Sequence, residues 1–335
     1  MTNNDQFRLA ARPSGLPKDS DWHFTTAPLA DLVDGEIRIK TLYLSLDPAM
    51  RGWMNEGKSY IRPVAIDEVM RAGGIGVVVA SMSPRFAVGD TVTGGIGVQR
   101  YWQGRADDKT AAFTRIDPSL APLETWMNTL GMPGMTAYFG LIDVGQPKAG
   151  DTVVVSGAAG AVGQTVGQVA KKLGCRVVGI AGGKDKCDFV VDALGFDACI
   201  DYKNGPVKEG LKQHCPNGVD VYFDNVGGAH LDAALGAARP LARFAICGMI
   251  SEYSATSPTA MTNLRRIISS NISIRGFRVG NHLHRLPDFH ASARTWTTAG
   301  RFKTLETIRH GLEQVPSAFV EMLQGGNQGK MVVRL

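Results

Sequence analysis

The strongest chemical signal in the chain is Val153-Val154-Val155-Ser156-Gly157-Ala158-Ala159-Gly160-Ala161-Val162-Gly163, followed by a helix-like stretch from Gln164 to Leu173. An apolar strand that opens through glycine into a helix aims backbone N–H groups and the positive helix end at an anion. Gly160 leaves the backbone bare beside a pyrophosphate, and Gly163 lets the helix pack closely on the strand. Ala158 stands where a full dinucleotide fingerprint has its first glycine. Gly174 then ends the helix. An ordinary tight strand-to-helix turn is the competing reading. The order strand, loop, helix, stop and second strand favours a dinucleotide.

Which dinucleotide is decided further on. Folds selective for NAD carry an acidic residue about 20 positions later, at the end of the second strand, for the ribose 2′-hydroxyl. Here that region reads Val178-Gly179-Ile180-Ala181-Gly182-Gly183-Lys184-Asp185-Lys186, with no acid at the strand end. Two glycines give room and two lysines give charge, which suits a 2′-phosphate. Asp185 either offsets that charge or caps the next helix. NADPH is the expected cofactor.

Other chemistries find less support. The first cysteine is Cys175 and the only histidine before it is His23, so the first part of the chain lacks ligands for a catalytic zinc. His282, His284 and His290 lie in a polar, proline-containing stretch and read as a solvated loop. Ser156 lacks the Gly-x-Ser-x-Gly elbow of acyl transfer. Alcohol oxidation without a Lewis acid has no ready means of stabilising an alkoxide. Hydride addition to a conjugated C=C bond asks for less, because the charge reaches a carbonyl oxygen that hydrogen-bond donors can hold.

The elements that must position these residues fall into two regions. Of 335 residues, 44% are apolar, enough for two cores. Up to about Leu123 the chain reads as β-rich, with Glu36–Lys40 alternating and Ile75–Ala80 and Asp90–Thr93 as short runs between Gly and Pro. From Asp151 the strand candidates Val153–Ser156, Arg176–Ile180, Ala198–Asp201, Val219–Asp224, Phe244–Cys247 and Ile272–Gly276 alternate with helical stretches. That is the pattern of a parallel sheet covered on both faces. Met331–Val333 is again a strand. The net charge of +5 is scattered, which argues against nucleic acid, and no apolar run reaches membrane-span length. Met1 to Pro13 has no apolar core of a signal peptide, and five irregularly spaced cysteines read as reduced thiols, so a cytoplasmic setting is expected.

The chain resembles the zinc-independent medium-chain dehydrogenase/reductase family of NADPH-dependent alkenal, enone and prostaglandin reductases. The resemblance spans nearly its whole length. Besides the glycine loop it rests on Ser45-Leu46-Asp47-Pro48-Ala49-Met50-Arg51, Leu130-Gly131-Met132-Pro133-Gly134-Met135-Thr136-Ala137-Tyr138 and Phe223-Asp224-Asn225-Val226-Gly227-Gly228. Ile246-Cys247-Gly248-Met249-Ile250-Ser251-Glu252-Tyr253 and Gly326-Asn327-Gln328-Gly329-Lys330 complete it.

The resemblance implies an α/β architecture: a Rossmann doubly wound parallel sheet at 126–304 that binds NADP, and a GroES-like β-rich domain at 1–125 completed by 305–335. It implies a homodimer and a small conjugated carbonyl substrate. Gly160, Ala161, Val162 and Gly163 are then expected at the pyrophosphate, and Gly183, Lys186 and Tyr202 at the 2′-phosphate. Thr136 falls near the phosphates, Asn225 and Asn327 near the ribose and nicotinamide, and Cys247 and Phe277 along the cofactor. Met50 and Arg51 border the substrate pocket. Tyr253 matches the residue that hydrogen-bonds or protonates the substrate; a phenol, with an ordinary pKa of about 10, is protonated at neutral pH. An aromatic filling the loop after the fifth strand is the plainer reading of Tyr253. Ala49 replaces an aromatic common in the family, so no individual member's substrate carries over. The implied reaction is hydride transfer to the β-carbon of an α,β-unsaturated aldehyde or ketone. Quinone reduction and a non-catalytic NADPH-binding redox sensor are the alternatives.

Overall fold

The computed structural model describes residues 2–297 and 302–335. By internal contacts the chain divides into two compact units, Met1–Met127 with Thr307–Asn327 and Met331–Leu335, and Asn128–Glu306 with Gln328–Lys330.

The first unit is antiparallel. Strands β1 (Asn3–Leu9) and β2 (Trp22–Pro28) form a two-stranded ribbon. A second sheet contains β3 (Glu36–Ser45), β4 (Gly74–Ser81), β5 (Thr91–Gly94), β6 (Tyr101–Arg105) and β7 (Thr114–Arg115). The alternation of Glu36–Lys40 puts Ile37 and Ile39 fully inside, and they join a core with Leu44, Leu46, Met50, Val78 and Phe319.

The second unit is a six-stranded parallel sheet built from β8 (Thr152–Ser156), β9 (Arg176–Ala181), β10 (Ala198–Asp201), β11 (Val219–Asp224), β12 (Ala238–Ile246) and β13 (Ser273–Gly276). Their order, β10-β9-β8-β11-β12-β13, is that of a doubly wound dinucleotide-binding sheet, with its switch point between β8 and β11. All five residues of β8 are buried, as strands covered on both faces require. The last strands, β14 (Glu306–His310) and β15 (Lys330–Arg334), extend the antiparallel sheet in the order β14-β15-β3-β4-β5-β7. The fold class expected from the sequence is therefore present in both its parts.

Two elements differ from the sequence reading. The helix expected from Gln164 starts at Ala161, because Gly160 already adopts the extended cap conformation. β12 begins at Ala238 rather than Phe244, running through Pro240 and through Leu241 at φ 64°. Those two residues disguise it as a turn.

Candidate active site

At the switch point the loop after β8 is drawn tight. Gly157 has φ 59°, and Gly160 lies at the helix cap with φ −85° and ψ 175°. A Cβ at Gly163 would sit 2.3 Å from the Gly157 oxygen and 2.8 Å from Ala158 Cα. The close approach that demands glycine there is to the loop, not to the strand. The N–H groups of Ala161, Val162 and Gly163 begin the helix, where an α-helix leaves donors without carbonyl partners. Gly174, at φ 78°, ends it as expected. Two buried amides on the same helix, Gln164 and Gln168, accept the Leu305 and Lys303 N–H groups at 3.0 and 2.9 Å, and the Gly329 N–H donates to Ala159 O at 2.8 Å. The segment that follows Asn327 is thereby fixed beside the phosphate loop.

The next strand end is organised by Asp224, fully buried as the last residue of β11. Its Oδ1 accepts from Ser156 Oγ at 2.7 Å, Tyr222 Oη at 3.1 Å, and the Val226 and Gly227 N–H groups at 3.0 Å each. Ser156 Oγ in turn accepts the Asn225 N–H at 2.8 Å, and Asn225 Nδ2 donates to Ser156 O at 2.7 Å. The ends of β8 and β11 are thus cross-tied by side chains. In the sequence Asp224 stands inside a family motif without a role of its own, and Ser156 reads only as a candidate nucleophile. The signal was an acid closing an otherwise apolar strand just before Asn-Val-Gly-Gly.

Tyr253 hangs from the same frame. It ends a one-turn helix, Ile250–Tyr253, whose Ile250 N–H reaches Asn225 O at 3.3 Å and whose Ser251 Oγ donates to Val226 O at 2.7 Å. The Tyr253 hydroxyl accepts the Met249 N–H at 3.1 Å, and Gly248 gives it space, since a Cβ there would lie 3.2 Å from the oxygen. A hydroxyl that accepts in this way keeps its own proton for donation. Cys247 continues β12, and burial pushes its thiol up to about 12, so it stays protonated and unreactive. The Phe277 ring lies against Gly140, where a Cβ would meet it at 2.2 Å, and edge-on to Phe223 at 6.0 Å. Thr136 is half-buried, its hydroxyl donating to Met132 O of its own helix at 2.8 Å.

After β9, the strand next to β8, Gly183 sits at φ 97° and starts the helix Lys184–Asp188. The Tyr202 oxygen lies over Gly182, where a Cβ would come within 2.7 Å of it. Lys186 is half-buried, and its pKa is lowered, first by burial and then by the positive charge of Lys203. An ammonium group held near a second cation, beside a bare glycine turn and a phenol, fits a doubly charged phosphate group. Together with the bare glycine loop at the helix start, this donor set fits a phosphorylated dinucleotide.

In the first unit, Met50 is fully buried and Arg51 is 3% exposed. The Arg51 guanidinium donates to Pro13 O and Gly15 O at 2.9 Å each, and to Asn55 Oδ1 at 2.5 Å. The histidine stretch is not the solvated loop expected from the sequence: it is a 3-10 helix, Val279–Arg285, followed by an α-helix, Leu286–Thr297, that carries His290. His282 and His290 are half-buried, and His282 stacks on Phe139 at 4.8 Å and approaches Asp143 at 3.4 Å, while His284 is exposed. Among the described residues no group of three or more His, Cys, Asp or Glu is placed to hold a metal ion. The five cysteines are free thiols.

Comparison with known proteins follows this geometry. Residues 5–112 match a family model described as N-terminal domain of oxidoreductase, and residues 161–295 one described as zinc-binding dehydrogenase. The NADPH-dependent curcumin reductase of Escherichia coli (strain K12) is 39% identical over 99% of this chain and 97% of its own length. The NADP(+)-dependent 2-alkenal reductase of Nicotiana tabacum is likewise 39% identical, over 99% of this chain and 97% of its own. The crystal structure of CurA in complex with NADPH from Vibrio vulnificus superposes with a TM-score of 0.92 at 42% identity, covering 98% of both chains. The fold and site define a two-unit oxidoreductase with a dinucleotide-binding sheet. The chain belongs to the medium-chain dehydrogenase/reductase family, in its branch of NADPH-dependent double-bond reductases.

Proposed function

We propose that this protein uses NADPH to reduce the C=C bond of α,β-unsaturated aldehydes and ketones, with hydride delivered to the β-carbon. The observation that carries the reading is the shared frame at Asn225 and Val226, which holds both the glycine-loop strand and the Tyr253 turn. A frame that fixes the coenzyme loop and a phenolic donor together can place a substrate oxygen against that donor.

In this reading Gly160, Ala161, Val162 and Gly163 hold the pyrophosphate, and Gly183, Lys186 and Tyr202 the 2′-phosphate. Asn225, Cys247, Phe277, Thr136 and Asn327 line the rest of the coenzyme. NADPH, when bound, supplies the hydride. Tyr253 donates a hydrogen bond to the substrate carbonyl oxygen, where negative charge accumulates, and it or water protonates the α-carbon. Met50 and Arg51 are assigned to the border of the substrate pocket; both are buried, and the Arg51 side chain fixes its turn on the carbonyls of Pro13 and Gly15.

We also propose a homodimer in the cytoplasm. β13 ends the parallel sheet with all four residues exposed, and Leu264, Ile268 and Ile274 stand exposed in the same region, Ile268 to 83%. An exposed edge of this kind calls for a partner strand. Mass photometry should give twice the chain mass, and Ile268→Arg should shift it towards the monomer; a monomeric parent would remove the proposal. The free thiols suit a reducing compartment, and among the described residues no helix is long and apolar enough to cross a membrane.

The reaction is tested by following NADPH absorbance with 2-alkenals, enones, curcumin and simple quinones, with NADH as control. Oxidation confined to conjugated C=C acceptors, with a saturated carbonyl product, is expected. Preference for quinones, or coenzyme binding without turnover on any acceptor, would contradict it.

A further inference from the structure

A carboxylate lies next to the proposed 2′-phosphate site without having been given a role there. Asp201, the last residue of β10, accepts the Gly183 N–H at 2.7 Å and the Lys203 N–H at 3.0 Å, both on Oδ1. One oxygen therefore ties the turn after β9 to the turn after β10. Between them Tyr202 is anchored by its N–H to Ala181 O at 3.1 Å, and its ring meets His230 edge-on at 5.0 Å. Gly183 has open space around its missing side chain, so its φ of 97° reflects the turn and not crowding. Something has to hold that turn, and the Asp201 bond is the side-chain tie to its N–H.

An acid in this neighbourhood would ordinarily favour NADH, by accepting from the free 2′-hydroxyl and repelling a phosphate. Here the Oδ1 of Asp201 is already committed to two backbone amides. We propose that Asp201 is a positioning residue for coenzyme selectivity. It fixes the spacing of Gly183, Lys186, Tyr202 and Lys203 around the 2′-phosphate, with Lys203 as a second cation of the site. Burial and then the charge of Lys203 lower the pKa of Lys186, and an anion beside Lys186 would oppose that lowering. The inference rests on the coenzyme reading above and deepens it.

The test is steady-state kinetics with a 2-alkenal at varied NADPH and NADH, for the parent, Lys186→Ala, Asp201→Asn, Asp201→Ala and Asp201→Glu. Asn keeps an acceptor oxygen at the same reach and should hold the ratio of kcat/KM for NADPH over NADH within about twofold of the parent. Ala removes the tie, and Glu keeps the charge but displaces the oxygen by one methylene. Both should lower that ratio by at least about fivefold, through KM for NADPH. If Ala does not fold, Glu carries the test. A ratio unchanged in the Ala and Glu variants, or an equal loss with both coenzymes, overturns the inference. A parent without preference for NADPH overturns the coenzyme reading and this inference with it. Preference lost in Lys186→Ala but kept in Asp201→Ala and Asp201→Glu overturns the inference alone.

Discussion

Arg51 in the first unit and Asp224 in the second are both buried charged side chains, and the way each is satisfied reveals what its surroundings are for. Arg51 is satisfied by Asn55, just past the end of its own helix, and by the carbonyls of Pro13 and Gly15, so it staples the turn after β3 to the loop between β1 and β2. Desolvation lowers its pKa, with Asp21 opposing. Asp224 in the second unit collects two hydroxyls and two backbone N–H groups, and those partners lie on the ends of two parallel strands and the loop that leaves them. Burying either charge without partners would be costly, so both networks are needed for the fold. Only the second lies at a topological switch point, where the loops it stiffens are the ones a dinucleotide meets. A buried charge inside a family motif is therefore not by itself a sign of a ligand; where its partners lie in the sheet decides.

The comparison can be broken first at Asp224. Asp224→Ala leaves Ser156, Tyr222 and two loop amides without their acceptor. It should destabilise by about 3–5 kcal/mol and weaken NADPH binding by at least tenfold, about 1.4 kcal/mol. Denaturant melts and fluorescence titration read the two losses; unchanged coenzyme affinity in a folded variant would separate the frame from the site. Arg51→Ala should cost about 3 kcal/mol in the same melts. Its loss should appear in stability far more than in coenzyme affinity, and the reverse pattern would make Arg51 a ligand-binding group. Tyr253→Phe should lower turnover about tenfold to hundredfold with a melting temperature close to the parent's. Turnover equal to the parent would remove its assigned role.

The smallest expected effect is one of pH. Burial lowers the pKa of His230, so the fold holds it neutral while the unfolded chain takes up a proton near 6.5. Its contribution is full above that value and is lost as pH falls through the window below it. His230→Gln should therefore show a shallower fall in melting temperature from pH 7 to pH 5 than the parent. An equally steep fall would assign the acid sensitivity to other groups.

Much of the second unit could be read from residues alone, because its strands are near-continuous apolar runs and its glycines mark each turn. β8 and the loop to Gly163 were legible for that reason. β12 was hidden by Pro240 and by the left-handed Leu241, whose conformations depend on the sheet they join. The π-helical turn Gly140–Gly145 had no signal either, since the bare Cα of Gly140 is needed by Phe223 and Phe277, distant in sequence. In the first unit, β1 and β2 pair residues as far apart as Asn3 and Pro28 with little local pattern. The glycine loop and the lysines beside Gly183 follow from spacing, and Tyr253 from motif resemblance. The parts played by Asp224 and Asp201 did not follow, because a carboxylate that binds backbone amides looks, in sequence, like one that faces solvent.

The most direct test of the whole account is the fate of the hydride. Turnover of a 2-alkenal with NADPH deuterated at the transferring position of its nicotinamide ring, in ordinary water, should give a saturated aldehyde with deuterium on the former β-carbon. Deuterium on the carbonyl carbon of an unsaturated alcohol would contradict it.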